Sequence, residues 1–112
     1  MDTARLAQYR SRLLDLLAEL EREDAAGAEG RRTVTLDQQS VGRLSRMDAL
    51  QQQAMAKAQS ARRAGRRRVL RAALARIDEG EFGYCDNCGE PIPEGRLDLE
   101  PATARCVNCA SG

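Results

Sequence analysis

Four cysteines, arranged as two C-x-x-C pairs, constrain this chain more than any other feature. The pairs are Cys85-Asp86-Asn87-Cys88 and Cys106-Val107-Asn108-Cys109, with seventeen residues between them. Each pair presents two soft thiolates on a tight turn. Two such turns facing each other make a tetrahedral all-sulfur site, the zinc-ribbon pattern. The chain has no histidine, so Cys85, Cys88, Cys106 and Cys109 are the candidate ligands, for one Zn²⁺. Four protein ligands leave no position for a substrate or an activated water, so the expected zinc is structural and not catalytic. The alternatives are thiol redox pairs or an iron–sulfur cluster. A reducible pair normally opens a helix that follows a strand, and no such pattern precedes either pair. Gly89, Pro91, Pro93, Gly95 and Pro101 shape the connection.

The rest of the chain offers little for a thick core. Hydrophobic residues are 42% of 112, but many are alanine, and there are one Phe, two Tyr and no Trp. Alanine buries little area, so a thin helical assembly with a metal-stapled module suits this composition. Net charge is +1 with neutral thiols, and about −1 with four thiolates around one Zn²⁺. Charge alone therefore argues neither for nor against a polyanionic partner. No apolar run is long enough to span a membrane. The first residues pass directly into an amphipathic pattern with no secretory signal, so the expected location is the cytoplasm.

Two amphipathic helices precede the cysteines. Leu6, Tyr9, Leu13, Leu16, Leu17 and Leu20 recur at three- and four-residue steps and predict a helix over about 3–26. Gly27 and Gly30 are expected to end it. A loop over about 27–39 follows, with Thr33-Val34-Thr35-Leu36 extended. A second helix over 40–79 carries the stripe Leu44, Met47, Leu50, Ala54, Ala58, Ala61, Val69, Ala73, Leu74 and Ile77, and Gly80 stops it. The expected fold is mainly α: an antiparallel helical hairpin over 1–80, coiled-coil in style, with a C-terminal four-cysteine zinc ribbon over 81–112. Phe82 and Tyr84 are expected in the ribbon's core with Ile77, Ile92 and Leu97.

At this point the residues resemble a known family. The run Ile77-Asp78-Glu79-Gly80-Glu81-Phe82-Gly83-Tyr84-Cys85-Asp86-Asn87-Cys88-Gly89-Glu90-Pro91-Ile92-Pro93 is similar to the zinc-finger signature of the DksA/TraR family. So are Arg96-Leu97, Glu100-Pro101-Ala102-Thr103 and Cys106-Val107-Asn108-Cys109. The resemblance implies a bacterial transcription regulator that binds RNA polymerase directly. The family's hairpin enters the polymerase secondary channel, with acidic residues at its tip near the catalytic site.

The tip departs from the family's pattern. The archetype carries Asp-x-x-Asp-x-Ala there, and the matching positions are Gly42, Ser45 and Met47. Asp37 and Asp48 are the acidic candidates nearby, and Arg43 and Arg46 make this tip more basic. Asp48 is a substitute for the missing acid or an ordinary solvated residue. Basic residues near the archetype's finger help to hold guanosine tetraphosphate. Two of their positions are Glu100 and Ala110 here, so the expected response to that nucleotide is lost.

A basic stretch lies on the second helix: Arg62, Arg63, Arg66, Arg67, Arg68 and Arg71, with Arg76 beyond. Arginine is the preferred residue for phosphate recognition. Three readings stand: a polymerase-docking surface, solvated decoration partly paired with Glu19, Glu21 and Glu23, or direct nucleic-acid binding. No aromatic residue interleaves the arginines, which disfavours single-strand stacking. The leading expectation is a regulator that acts on RNA polymerase without sequence-specific DNA contact. The alternatives are a zinc-ribbon nucleic-acid binder using the arginine helix, and a non-catalytic structural or interaction protein. No nucleophile–base pair or acid dyad is visible, so an enzyme is not expected.

Overall fold

The computed structural model describes residues 1–37 and 43–111. Its described residues form four helices: α1 (Thr3–Asp37), α2 (Arg43–Glu79), α3 (Glu94–Leu99) and α4 (Val107–Ser111). Extended pairing among them is a single antiparallel bridge between Tyr84 and Pro91. The architecture is thus mainly α, a helical hairpin with its four cysteines near the C-terminus. Arg10 pairs with Asp78, and Arg63 with Asp24, so α1 and α2 run in opposite directions.

The chain divides into two compact units. The basal unit joins Met1–Leu17 to Arg67–Gly112. The distal unit is Ala18–Arg66.

The basal unit holds the core. Tyr9 and Leu13 of α1, Leu70 and Ala73 of α2, and Phe82, Ile92, Leu97 and Ala102 are all buried. Leu13, Leu70 and Leu97 are fully enclosed. Burying a side chain of this size is worth about 1.5–3 kcal/mol, so these few residues carry much of the unit's apolar stabilisation. Asp2 caps α1: its Oδ1 accepts the Arg5 amide at 2.8 Å, satisfying a donor that the first turn leaves open. At the other end, Gly80 takes φ 77° after α2. Its amide donates to Ile77 O, and the Glu81 amide donates back to Arg76 O at 2.9 Å. This pair of bonds is a Schellman motif, and the left-handed residue it needs is most cheaply a glycine.

The aromatic pair in this core differs from expectation. Phe82 is buried, but Tyr84 is 46% exposed. The Tyr9 ring from α1 takes the place against Phe82, centroid to centroid 5.4 Å and tilted by 48°. Gly83, at φ 93°, turns the chain between Phe82 and Tyr84.

The distal unit is thinly packed. Leu20, Asp24 and Gly27 of α1 are half-buried, as are Ala49, Gln53, Ala56, Ser60 and Arg63 of α2. Both sets step by three and four residues, the spacing of a helix–helix seam. The expected α2 stripe is out of phase with this seam. Met47, Leu50, Ala54, Ala58 and Ala61 are exposed, and so is Val69 in the basal unit. An alanine-rich segment has too little apolar contrast to dictate which face turns inward.

The end of α1 is also a correction. The sequence reading breaks the helix at Gly27 and extends Thr33–Leu36, whereas α1 continues to Asp37. A glycine inside a helix costs about 1 kcal/mol against alanine, which weakens a helix without stopping it, and no proline intervenes. Residues 38–42, including Ser40 and the Gly42 of the tip comparison, lie outside the described residues. Asp37 closes α1 and Arg43 opens α2.

Candidate metal centre

Local chain geometry builds the first cysteine turn. The Cys85 amide donates to Glu90 O at 2.8 Å, and the Gly89 amide donates to Cys85 O at 3.0 Å. Gly89 closes the turn at φ 77°. The Ile92 amide then donates to Gly83 O at 2.7 Å, locking the two arms together. Arg76 holds this turn from the helix side, donating from Nη2 to Tyr84 O and to Glu81 O.

The second turn opens α4. The Ala110 amide donates to Cys106 O at 2.9 Å. Two groups tie it to the first turn: the Asp86 amide donates to Ala104 O at 2.8 Å, and Arg105 Nε reaches Asp86 Oδ1 at 3.3 Å. Arg96 Nε of α3 donates to Arg105 O at 2.9 Å, and buried Leu97 on α3 fills the space beneath. The segment between the cysteine pairs is therefore a brace between the two turns.

Together these turns bring the four Sγ atoms within 4.8 Å of one another. Cys88 Sγ and Cys106 Sγ are 3.7 Å apart. A tetrahedral zinc with bonds of about 2.3 Å places its sulfurs about 3.8 Å apart. The donor set and spacing both fit one Zn²⁺ held by Cys85, Cys88, Cys106 and Cys109. The four thiols are free cysteines and form no disulfide.

The electrostatics of the cluster are graded. Backbone amides of Cys106, then Cys88 and Asn87, donate to the Cys85 sulfur and lower its pKa to about 6, against a smaller opposing effect of burial. Amide donors of this kind stabilise a thiolate before any metal arrives. At Cys88 the Glu90 amide pulls the pKa down, but the hydrogen bond with Cys85, burial and the other two thiols push it up to about 12. Cys109 accepts from Asn87 Nδ2 at 3.4 Å, which lowers its pKa. Its contacts with Cys106 and Cys85 outweigh that donor, and the net direction is upward. Without metal, Cys85 is thiolate-like, while Cys88 and Cys109 hold their protons. Zinc binding displaces those protons.

A second group of residues clamps this module onto α1. Tyr9 Oη donates to Asp98 Oδ1 at 2.6 Å. Arg5 Nη2 reaches Tyr9 Oη at 3.2 Å and Glu94 Oε2 at 3.1 Å. Arg12 Nη2 donates to Asp98 O at 2.8 Å. Burial first, and then the bond to Asp98, raise the Tyr9 pKa above its ordinary value. Nothing in the sequence pointed to this clamp except the position of Tyr9 in the leucine stripe.

The other expected site residues fall in several places. Arg46 and Asp48 are exposed on α2, while the side chains of Asp37 and Arg43 lie outside the described residues. The arginine stretch does not form one face. Arg62, Arg68 and Arg71 are exposed; Arg66 and Arg67 are half-buried; Arg63 sits in the seam against Asp24, with Nε to Oδ1 at 2.6 Å.

Comparison with known proteins fits this geometry. Residues 80–112 match the family model of the prokaryotic dksA/traR C4-type zinc finger. The chain is 46% identical over 43 residues to an uncharacterised protein of Aquifex aeolicus, covering 38% of this chain and 30% of that protein. It is 42% identical over 40 residues to the RNA polymerase-binding transcription factor DksA of Haemophilus influenzae, covering 36% and 28%. The chain thus spans less than a third of the length of these curated relatives. Two solved structures share the fold over nearly the whole chain. The transcription factor DksA2 of Pseudomonas aeruginosa superposes with a TM-score of 0.87 at 23% identity, covering 98% of this chain and 83% of that one. The RNA polymerase binding protein and transcriptional regulator Dks of Chlamydia trachomatis gives a TM-score of 0.62 at 20% identity, covering 99% and 88%. The C-terminal four-cysteine module is thus similar in sequence to the dksA/traR C4-type zinc finger, and the helices share the fold of DksA2.

Proposed function

We propose that this protein binds bacterial RNA polymerase directly, through the secondary channel, and regulates transcription without sequence-specific DNA contact. The observation that carries this reading is the joining of two matches in one chain. The finger is similar in sequence to a factor named for polymerase binding, and the whole chain shares its fold with DksA2. In this reading residues 1–80 are the inserted hairpin and 81–112 the finger that steadies its base. The protein acts by binding, and the zinc supplies structure.

At the tip, Asp37, Arg43, Arg46 and Asp48 are the proposed contact residues. Arg46 and Asp48 are exposed in the first turns of α2, which supports their availability. A cation beside the polymerase's acidic metal site would act differently from the acid of the archetype. Guanosine tetraphosphate is not expected to strengthen the effect. The cleft beside the first cysteine turn has one cation, Arg76, and it is lined by Glu81 and Asp86. Arg76 already spends donors on backbone carbonyls.

The test is binding of the zinc-loaded protein to core RNA polymerase, with a known secondary-channel factor as competitor. Saturable binding that the competitor displaces supports the reading. No binding at micromolar concentration refutes it. Steeply salt-dependent binding to duplex DNA in its place would give the exposed arginines Arg62, Arg68 and Arg71 the leading role.

A further inference from the structure

We propose that the Asp24–Arg63 ion pair decides which face of α2 meets α1 in the distal unit, and so keeps an apolar face of α2 turned outward. This inference holds whichever partner the protein binds.

The distal seam is poor in hydrophobic instruction. Among its described half-buried residues the one large apolar side chain is Leu20, and α2 contributes Ala49, Gln53, Ala56, Ser60 and Arg63. The larger apolar side chains of the same stretch point away. Met47 is 60% exposed, Leu50 61% and Met55 62%. Met47 and Leu50 continue into exposed Ala54, Ala58 and Ala61 at helical spacing. That outward stripe is as regular as the inward one and more apolar. Burial of apolar area alone would turn it toward α1.

The burial of Leu70 and Ala73 fixes the face of α2 in the basal unit, and in the distal unit Asp24 with Arg63 is placed to hold the same phase. Both belong to the seam, and Nε meets Oδ1 at 2.6 Å. The side chains are only 30% and 16% exposed, so neither charge regains full hydration if its partner leaves. A roll of α2 that brought Met47 and Leu50 inward would carry Arg63 away from Asp24. A slip by one heptad would set Ala56 opposite Asp24 instead. Each alternative breaks the half-buried Asp24–Arg63 pair. A polar pair at a seam position that gives up stability to fix register is a recognised coiled-coil device. Asp24 and Arg63 are positioning residues in this sense.

The three methionines supply the test. Met47 and Met55 report the outward face, and Met1 in the basal unit is an internal reference. The zinc-loaded full chain is labelled at the methionine methyls and studied by NMR with a neutral soluble paramagnetic chelate. In the wild type, Met47 and Met55 each give one resonance, strongly relaxed by the chelate. The double variant Asp24→Leu with Arg63→Leu removes the charges while filling the seam, so it keeps the fold. The expected result is a second set of Met47 and Met55 resonances, or a fall of about twofold in the relaxation of Met47 relative to Met1, as the alternative phase becomes populated. Exchanging the charges, Asp24→Arg with Arg63→Asp, should restore the wild-type pattern. The proposal is overturned if the double leucine variant keeps single, fully accessible resonances. It is equally overturned if the folded charge exchange behaves like the double leucine variant.

Discussion

Replacing Tyr9 by phenylalanine removes one oxygen from the clamp between α1 and the zinc module. The ring contact with Phe82 stays, so little apolar burial is lost. What goes is the hydroxyl that donates to Asp98 Oδ1 at 2.6 Å. A hydrogen bond to a charged group is worth about 1.5–3 kcal/mol, but an exposed acceptor recovers hydration when the donor leaves. The Asp98 side chain is 55% exposed. The expected loss is therefore about 1 kcal/mol, or about 4 °C in melting temperature for a chain of this size. The effect must also depend on pH. The folded state raises the Tyr9 pKa, first by burial and then through Asp98. The neutral phenol is thus the form that the fold favours. Its contribution is complete below the ordinary value of 10.0 and is lost as pH rises through the higher folded value. The wild type should lose stability at alkaline pH where Tyr9→Phe does not, so the gap between them should narrow as pH rises above the ordinary value of 10.0. Thermal melts of the zinc-loaded proteins at about pH 8 and about pH 11 read this directly. A gap that is the same at both would refute the reasoning. So would a double-mutant cycle with Asp98→Ala that shows no coupling.

Three further outcomes follow from the geometry. Zinc should be retained at neutral pH and released on acidification, to be followed with a colorimetric chelator. Because the folded Cys85 pKa is depressed to about 6, its thiolate contribution is present above the unfolded value and lost as pH falls through that point. Gly80→Ala should destabilise the basal unit by about 1–2 kcal/mol in urea unfolding, since φ 77° is strained for any residue with a Cβ even though no neighbouring atom crowds it. Arg10→Ala should change stability by less than about 0.5 kcal/mol in the same assay, because its pair with Asp78 is solvent-exposed on both sides.

The cysteine spacing made the metal centre legible, because ligand chemistry leaves few other uses for two C-x-x-C turns without histidine. The leucine stripe of α1 was legible for a similar reason: Leu13 and Leu20 stand out against charged neighbours. The middle of α2 was not. There the inward residues are Ala56, Ser60 and Arg63 and the outward ones Met47, Leu50 and Ala54, the reverse of what hydropathy suggests. The phase depends on Asp24, a residue with no local signature. Tyr84, two residues from Phe82, is exposed rather than in the core; the ring that Phe82 packs against is Tyr9, more than seventy residues away in sequence. The clamp acid Asp98 reads as an ordinary surface residue until the fold brings Tyr9 to it. Gly27 does not stop α1, since glycine weakens a helix without ending it.

The basal unit is assembled from both ends of the sequence, Met1–Leu17 and Arg67–Gly112. During synthesis this has a consequence. The α1 segment is made before α2 and the zinc module, so Leu13 is synthesised well before Leu70, Phe82 and Leu97, the other buried residues of its unit. The metal cannot be enclosed until Cys109 is free. Contacts between such distant residues form late and slowly. A chain cut short before Cys106 would have an incomplete metal site and an open apolar flank, which marks it for degradation. The same arrangement makes enclosure of the ion wait on synthesis of the second cysteine pair.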